Sequence, residues 1–299
     1  MWFTLSLLTI AAWALSDLFS KRGTKPEDKN SHLKLIIVVG TFMTAHAIFY
    51  LASNDIEFSP KAIITYAPVS AMYILAMALG YVGLRYIELS ISTPICNSSG
   101  AVACILCILI LKQSISPMQI TGVVIVSVSI FLLSMSERET ERESLRAASE
   151  KSSRFDNKFL ALLFPLLYCF IDGLGSFLDA FYLDTGILEE NVANLAYEFT
   201  FGICAFFSYL YLRFVKKERF SFIGQKDFCI AAACETAGQF TYIHALGDNA
   251  VVAAPLISSY CVFSVMLSRL ILKEKLRAKQ YIIIAALVSG IVILGYFDV

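Results

Sequence analysis

The chain has 299 residues, 58% of them hydrophobic and only 16% charged, and its mean hydropathy is +0.70. That composition excludes an ordinary soluble domain, where about 45–50% of residues are apolar and about 25% charged, and it excludes extensive disorder. The 24 basic residues cancel the 24 acidic ones, so no net field exists to hold nucleic acid or an acidic surface.

Lipid offers no hydrogen bonds, so a crossing helix needs roughly 20 apolar residues. In chain order the apolar runs predict helices over 2–19, 35–52, 62–84, 91–111, 118–135, 159–178, 192–212, 228–247, 250–272 and 280–297. The first is read as a retained span, because no basic residue precedes it and Lys21 and Arg22 follow at once. Residues 136–158 mix Glu and Arg at helical spacings, as in Glu139 with Arg142, and read as a charged cytoplasmic connector prolonging helix 5. All eight cysteines lie in apolar runs, where a thiol behaves as a small hydrophobe. Cys104 and Cys107 form a C-x-x-C with no second pair or nearby His, so no metal site, cofactor or disulfide is expected.

Short loops rich in Lys and Arg stay in the cytoplasm. Such residues crowd the connections after runs 1, 5, 7 and 9, with Arg85 after run 3, whereas the opposite side carries only Lys61 and Lys112. Both termini are therefore expected outside a plasma membrane. A repeat search finds Tyr81/Tyr242, Pro94/Pro255, Ser98/Ser259, Lys112/Lys273, Gln119/Gln280 and Leu133/Leu294 as identical pairs, all 161 residues apart. A weaker match, 155 residues apart, pairs Trp13 with Tyr168 and Asp17 with Asp172. The expected fold is an all-α membrane protein of ten transmembrane helices, arranged as five-helix repeats over 1–135 and 159–299. Five is odd, so the second half enters from the opposite face, the inverted plan of many secondary transporters.

Ionisable side chains at depth cost at least ~2.5–3.5 kcal/mol and face a cavity or a partner. A rise of 1.5 Å per residue puts Glu235, Asp172 and Glu198 within roughly 6 Å of the middle of their helices, and Asp17 roughly 10 Å toward the cytoplasm. Asp179, at the end of run 6, is expected to be solvated. Helical spacing aligns Tyr168, Asp172 and Ser176 on helix 6, Glu235, Gln239 and Tyr242 on helix 8, and Gly202, Ala205 and Tyr209 beside Glu198. No Lys or Arg sits at that depth in helices 6–8, so a proton or a cation held against aromatic faces is the expected partner of the acids. Trp13 and Asp17 are candidates for the same solute-binding or proton-coupling site. His46 and His244 are lone histidines read as structural. Pro94 and Pro255, each followed by serines, are read as matched gating bends.

The stretch Leu79–Leu133 holds Gly80-Tyr81-Val82-Gly83-Leu84-Arg85-Tyr86, Pro94 and Leu111-Lys112-Gln113. It resembles the helix 3–5 pattern of the EamA-like branch of the drug/metabolite transporter superfamily. Ala245-Leu246, Ala250 through Pro255 and Leu272-Lys273-Glu274-Lys275-Leu276 repeat the pattern, with Gln113 standing where the family usually has Glu and Glu274 supplying that acid in the second copy. The resemblance implies a ten-helix secondary transporter of small metabolites, in a family that handles amino acids, nucleotide sugars, quaternary amines and drugs. The reading is a secondary active transporter working by alternating access in the lipid bilayer, with proton coupling and a cationic or zwitterionic amine as candidates, and no oligomer required. The alternative is a non-transporting membrane subunit or a lipid-handling partner of another complex. No H-E-x-x-H, G-x-S-x-G or G-x-x-x-x-G-K-[ST] motif occurs, so neither catalysis nor nucleotide binding is expected.

Overall fold

The computed structural model describes residues 1–24, 28, 30–86, 98–147, 158–272 and 277–297. The α-helices among them are α1 Trp2–Gly23, α2 Ser31–Ser53, α3 Lys61–Tyr86, α4 Ser99–Leu106, α5 Pro117–Ala147, α6 Lys158–Asp184, α7 Glu190–Leu210, α8 Lys226–Ile257, α9 Tyr260–Leu272 and α10 Ala278–Tyr296. Wider π-type turns, Cys107–Leu111 and Tyr211–Val215, extend α4 and α7, and no strand occurs among the described residues. Among the described residues six stretches are long and apolar enough to cross a membrane: Trp2–Ser20, Ser31–Ser53, Pro117–Ser136, Leu166–Asp184, Glu190–Val215 and Ala278–Tyr296. Phe49, Ile64, Phe207 and Ile282 point outward and are more than half exposed, as suits side chains that meet lipid instead of water.

The helices pack in a mirrored pattern. α1 lies against α8 and α9, α6 lies against α3 and α4, α2 pairs with α7, and α5 pairs with α10. Without a hydrophobic drive between helices in lipid, close approach depends on small residues. At the α5–α10 crossing a Cβ on Gly122 would stand 3.3 Å from the Gly290 carbonyl oxygen, and one on Gly290 the same distance from that of Gly122. On α2, Gly40 is pressed against the Phe201 carbonyl and Ala205 of α7, so the two backbones nearly touch.

The helix starts coincide with the sequence repeat. Ser99 and Tyr260, which open α4 and α9, are 161 residues apart, as are Pro117 and Ala278, which open α5 and α10. The Gln119 side-chain oxygen accepts from the Ser116 backbone N–H at 3.0 Å, and Gln280 accepts from the Arg277 N–H at 2.9 Å. The identical glutamines are thus buried caps at matched helix N-termini.

Runs 8 and 9 fold differently from expectation. α8 continues through Ala250 to Ile257, interrupted only at Asn249, whose backbone is extended (φ −162°, ψ 78°), and a new helix opens at Tyr260. The predicted helix over 250–272 is therefore two pieces. Pro255 has no N–H to give the fourth preceding carbonyl, Ser258 bonds Ala254 with both its N–H (3.1 Å) and its hydroxyl (3.0 Å), and the Ser259 N–H turns back to Leu256 (3.0 Å). Pro255 is buried inside this last turn. Its counterpart Pro94 lies outside the described residues, as does Glu274.

Charged groups tie the connections at each end. At the end rich in basic residues, Lys34 bonds Asp28 at 2.7 Å and also pairs with Glu218, to which the Asn30 amide donates at 2.8 Å. Arg22 and Asp227 stand 3.7 Å apart beside them. At the other end the N-terminal amine lies 3.5 Å from Asp248, and the Gln113 amide donates to Asp184 at 3.2 Å. The Lys34 ammonium, helped by Asn30, holds the Glu218 carboxyl below its ordinary value. At Asp28 partial burial pushes upward, but Lys34 and Asn30 outweigh it and the carboxyl again sits low. Both groups therefore add stability above the ordinary carboxylate range and lose it as pH falls through their lowered values. Glu218→Gln is expected to flatten the acid limb of a melting-temperature profile below about pH 4.5, by no more than the about 0–1 kcal/mol of an exposed pair. A profile parallel to the parent's would show that the clamp contributes nothing.

Candidate functional site

Three helices bring the central side chains together, and two glycines let them meet. On α6, Tyr168 and Asp172 lie one turn apart; on α8, Glu235, Gln239 and Tyr242 share a face; on α1, Trp13 and Ser16 meet α8, and Asp17 acts on Glu235 of α8 and Tyr260 of α9. Gly238 presents no side chain, and the Trp13 indole occupies the space above it. Trp13 stacks on Tyr242 with ring centres 5.0 Å apart and meets the edge of Tyr260 at 5.5 Å. Gly173 brings α4 near enough that a Cβ there would lie 2.7 Å from the Ser99 carbonyl, and the Ser99 hydroxyl donates to Asp172. The Ser16 hydroxyl donates to Glu235.

Trp13, Asp17, Tyr168, Asp172, Glu235 and Tyr260 keep accessible surface although helices surround them, so they line an internal space. Its walls are aromatic and its charges are carboxylates. Gln239 is 3% exposed with its amide nitrogen unpartnered, and the Trp13 indole nitrogen also lacks an acceptor. Both nitrogens are sealed from solvent, the indole nitrogen against Gly238.

Directly beyond lies a closed hydrogen-bond network. The hydroxyls of Tyr66 and Tyr73 on α3 donate to Asp179, from Tyr73 at 2.8 Å. The Tyr73 hydroxyl is 2.7 Å from that of Tyr242, which donates to Ser176 at 3.1 Å. Asp179 is wholly buried, which corrects the expectation that it is solvated: α6 runs to Asp184, not 178, and leaves Asp179 more than a turn from the helix end.

Glu198 lies apart from this cluster, although sequence spacing placed it at the same depth. Its oxygens are 2.8 and 2.9 Å from the His46 Nδ1, and Asn194 donates to it at 3.1 Å. The residues aligned beside it leave no space: Gly202 packs on Thr44, Ala205 on Gly40, and Tyr209 faces outward, 41% exposed. Neither His46 nor His244 stands alone, since His46 pairs with Glu198 and His244 with Glu190. Among the described residues no three His, Cys, Asp or Glu side chains are grouped to hold a metal.

Sequence reasoning missed Ser16, Ser99, Tyr73 and Tyr260. Ser99 and Tyr260 carried a signal, because both directly follow the matched serines Ser98 and Ser259. Tyr73 carried none, being one aromatic residue in an apolar run.

The Trp13–Gly238 contact gives a sharp test, since the chain has only two tryptophans. In a Trp2→Phe background, Gly238→Val is expected to expel the indole and shift its emission to the red, with lower melting temperature. An unchanged spectrum would place Trp13 elsewhere.

Membrane-length apolar helices packed around buried acids define an integral, multi-pass helical membrane protein. Residues 1–135 match the EamA-like transporter family, which is a family of membrane transporters. No curated protein matches. A solved structure titled only "Crystal structure of protein" aligns with a TM-score of 0.68 over 98% of this chain and 95% of that chain, at 12% identity. At that identity the likeness establishes the fold alone.

Proposed function

We propose that the chain is a secondary active transporter that moves a small cationic or zwitterionic amine across the plasma membrane by alternating access. The observation that carries this reading is the internal space where Asp172 and Glu235 stand against Trp13, Tyr168 and Tyr260. The Ser99 and Ser16 hydroxyls donate to the two acids, and an ammonium group that meets the carboxylates and lies over the aromatic faces completes the site. Asp17 lines the approach of the solute from the basic end.

Ten spans in two inverted halves, 1–135 and 159–299, joined by 136–158, fit the mirrored helix pairs and the matched starts of α4 with α9 and α5 with α10. The halves rock about the shared site, and α8 and α9 bend where their helical backbone is interrupted, at Asn249 and after Pro255, with Pro94 as the first-half counterpart. The basic end faces the cytoplasm and both termini face outward. A reporter fused after Val299 that works only in the cytoplasm should stay silent; a strong signal would reverse the orientation. A melting-temperature screen of purified protein against choline, amino acids and nucleotide sugars tests the substrate class, because a ligand held only by the folded state at 100 times its Kd adds about 2.7 kcal/mol. Stabilisation by nucleotide sugars alone would contradict it.

A further inference from the structure

The His46–Glu198 pair bridges α2, in the first half of the chain, and α7, in the second. Glu198 has no exposed surface, whereas His46 is 30% exposed. The seam that joins them is tight, with Gly40 against Ala205 and Gly202 against Thr44, and a rocking that parts α2 from α7 changes the distance across the pair. We propose that this pair is the coupling-proton site of the transporter, separate from the solute site at Asp172 and Glu235. The inference rests on the transport reading above.

The proton balance is simple. The neutral imidazole that donates Nδ1–H to Glu198 leaves Nε2 bare, and the pair then carries one negative charge. A proton taken from water at Nε2 makes an imidazolium facing a carboxylate, and the pair becomes neutral and stable in a closed seam. When the seam opens to the other face, the proton leaves from Nε2. The surroundings suit the cationic ring: Tyr50 stacks on it at 5.7 Å and Phe240 of α8 meets it at 5.8 Å. Glu198 and His46 are the charges that act on one another. From α8 the next titratable group is His244, one turn beyond Phe240 and paired with Glu190 of α7; from α7 it is that same Glu190, with Asn194 and Asn191 neutral; from α2 it is Tyr50, whose hydroxyl donates to Asn191 at 3.1 Å.

The chain has three histidines, so NMR of carbon-13-labelled histidine in the full-length protein resolves them, with His32→Gln and His244→Gln assigning His46 by elimination. The His46 signal should titrate between pH 5 and 9, with a different midpoint in Glu198→Gln. A signal fixed over that range, or an unchanged midpoint, overturns the proposal. In liposomes, His46→Gln and Glu198→Gln should keep choline exchange but lose its acceleration by an imposed pH gradient, whereas retained acceleration contradicts the proposal. A parent protein that moves no choline sinks the transport reading instead, and the titration still decides whether the pair exchanges a proton.

Discussion

Asp172→Asn and Glu235→Gln, alone or together, are expected to cut choline exchange in liposomes while leaving the fold intact. Each replacement keeps the shape of the side chain and an oxygen for its serine partner, Ser99 or Ser16. What disappears is the charge that holds the ammonium. A hydrogen bond to a charged group contributes about 1.5–3 kcal/mol, so each variant should lose roughly 10- to 100-fold in affinity. Burial of an uncompensated carboxylate is costly, so the amides should melt at the parent's temperature or above it. Asp17→Asn should lose less, because Asp17 stands toward the basic end. Full exchange by both single variants would remove these acids from the site, and a lower melting temperature would make them structural.

Asp179→Ala should have the opposite profile, with stability lost first. Asp179 receives the hydroxyls of Tyr66 and Tyr73 in a region without solvent. Truncation leaves the buried Tyr66 donor unsatisfied, at about 1–3 kcal/mol, leaves Tyr73 only its Tyr242 and Ser176 neighbours, and opens a void as well. The apparent melting temperature in detergent should fall by roughly 5–15 °C, at about 2–4 °C per kcal/mol for a chain of this size. Asp179→Asn keeps an acceptor and should recover most of that loss. If alanine and asparagine melt alike, the tyrosines find other partners and the network is not what holds α3 to α6.

The two outcomes separate residues that the sequence presents as one group. Helical spacing placed Asp172, Glu198 and Glu235 on inward faces and left Asp179 solvated at a helix end, and the structure buries or half-buries all four. Spacing along one helix says nothing about what another helix brings. Tyr66 and Tyr73 arrive from α3 and His46 from α2, more than 100 residues away in sequence, and they turn two of the acids into closed pairs while Asp172 and Glu235 remain facing open space. The glycines show the same limit. Gly238 and Gly173 read as ordinary small residues until Trp13 and Ser99 are seen lying over them.

Local signals fared better where the physics is local. Apolar runs 1, 2, 3, 7 and 10 marked their helices within a few residues, because lipid length and backbone hydrogen bonding act on one segment at a time. Gln119 and Gln280 were visible as a repeat pair because capping needs the same residue at the same offset from a helix start. Run 9 was misread because Asn249 continues the helical path of α8 through an extended residue, and because Pro255 and two serines end a helix inside an unbroken apolar stretch.

The central claim is that the acid and aromatic space moves an amine. The direct measurement is exchange by the purified full-length protein in liposomes loaded with unlabelled choline, following entry of labelled choline without any pH gradient. The account predicts entry well above protein-free liposomes, saturation with choline, and loss of the signal in the Asp172→Asn/Glu235→Gln double variant. Entry that matches protein-free liposomes, or that persists unchanged in the double variant, would contradict it.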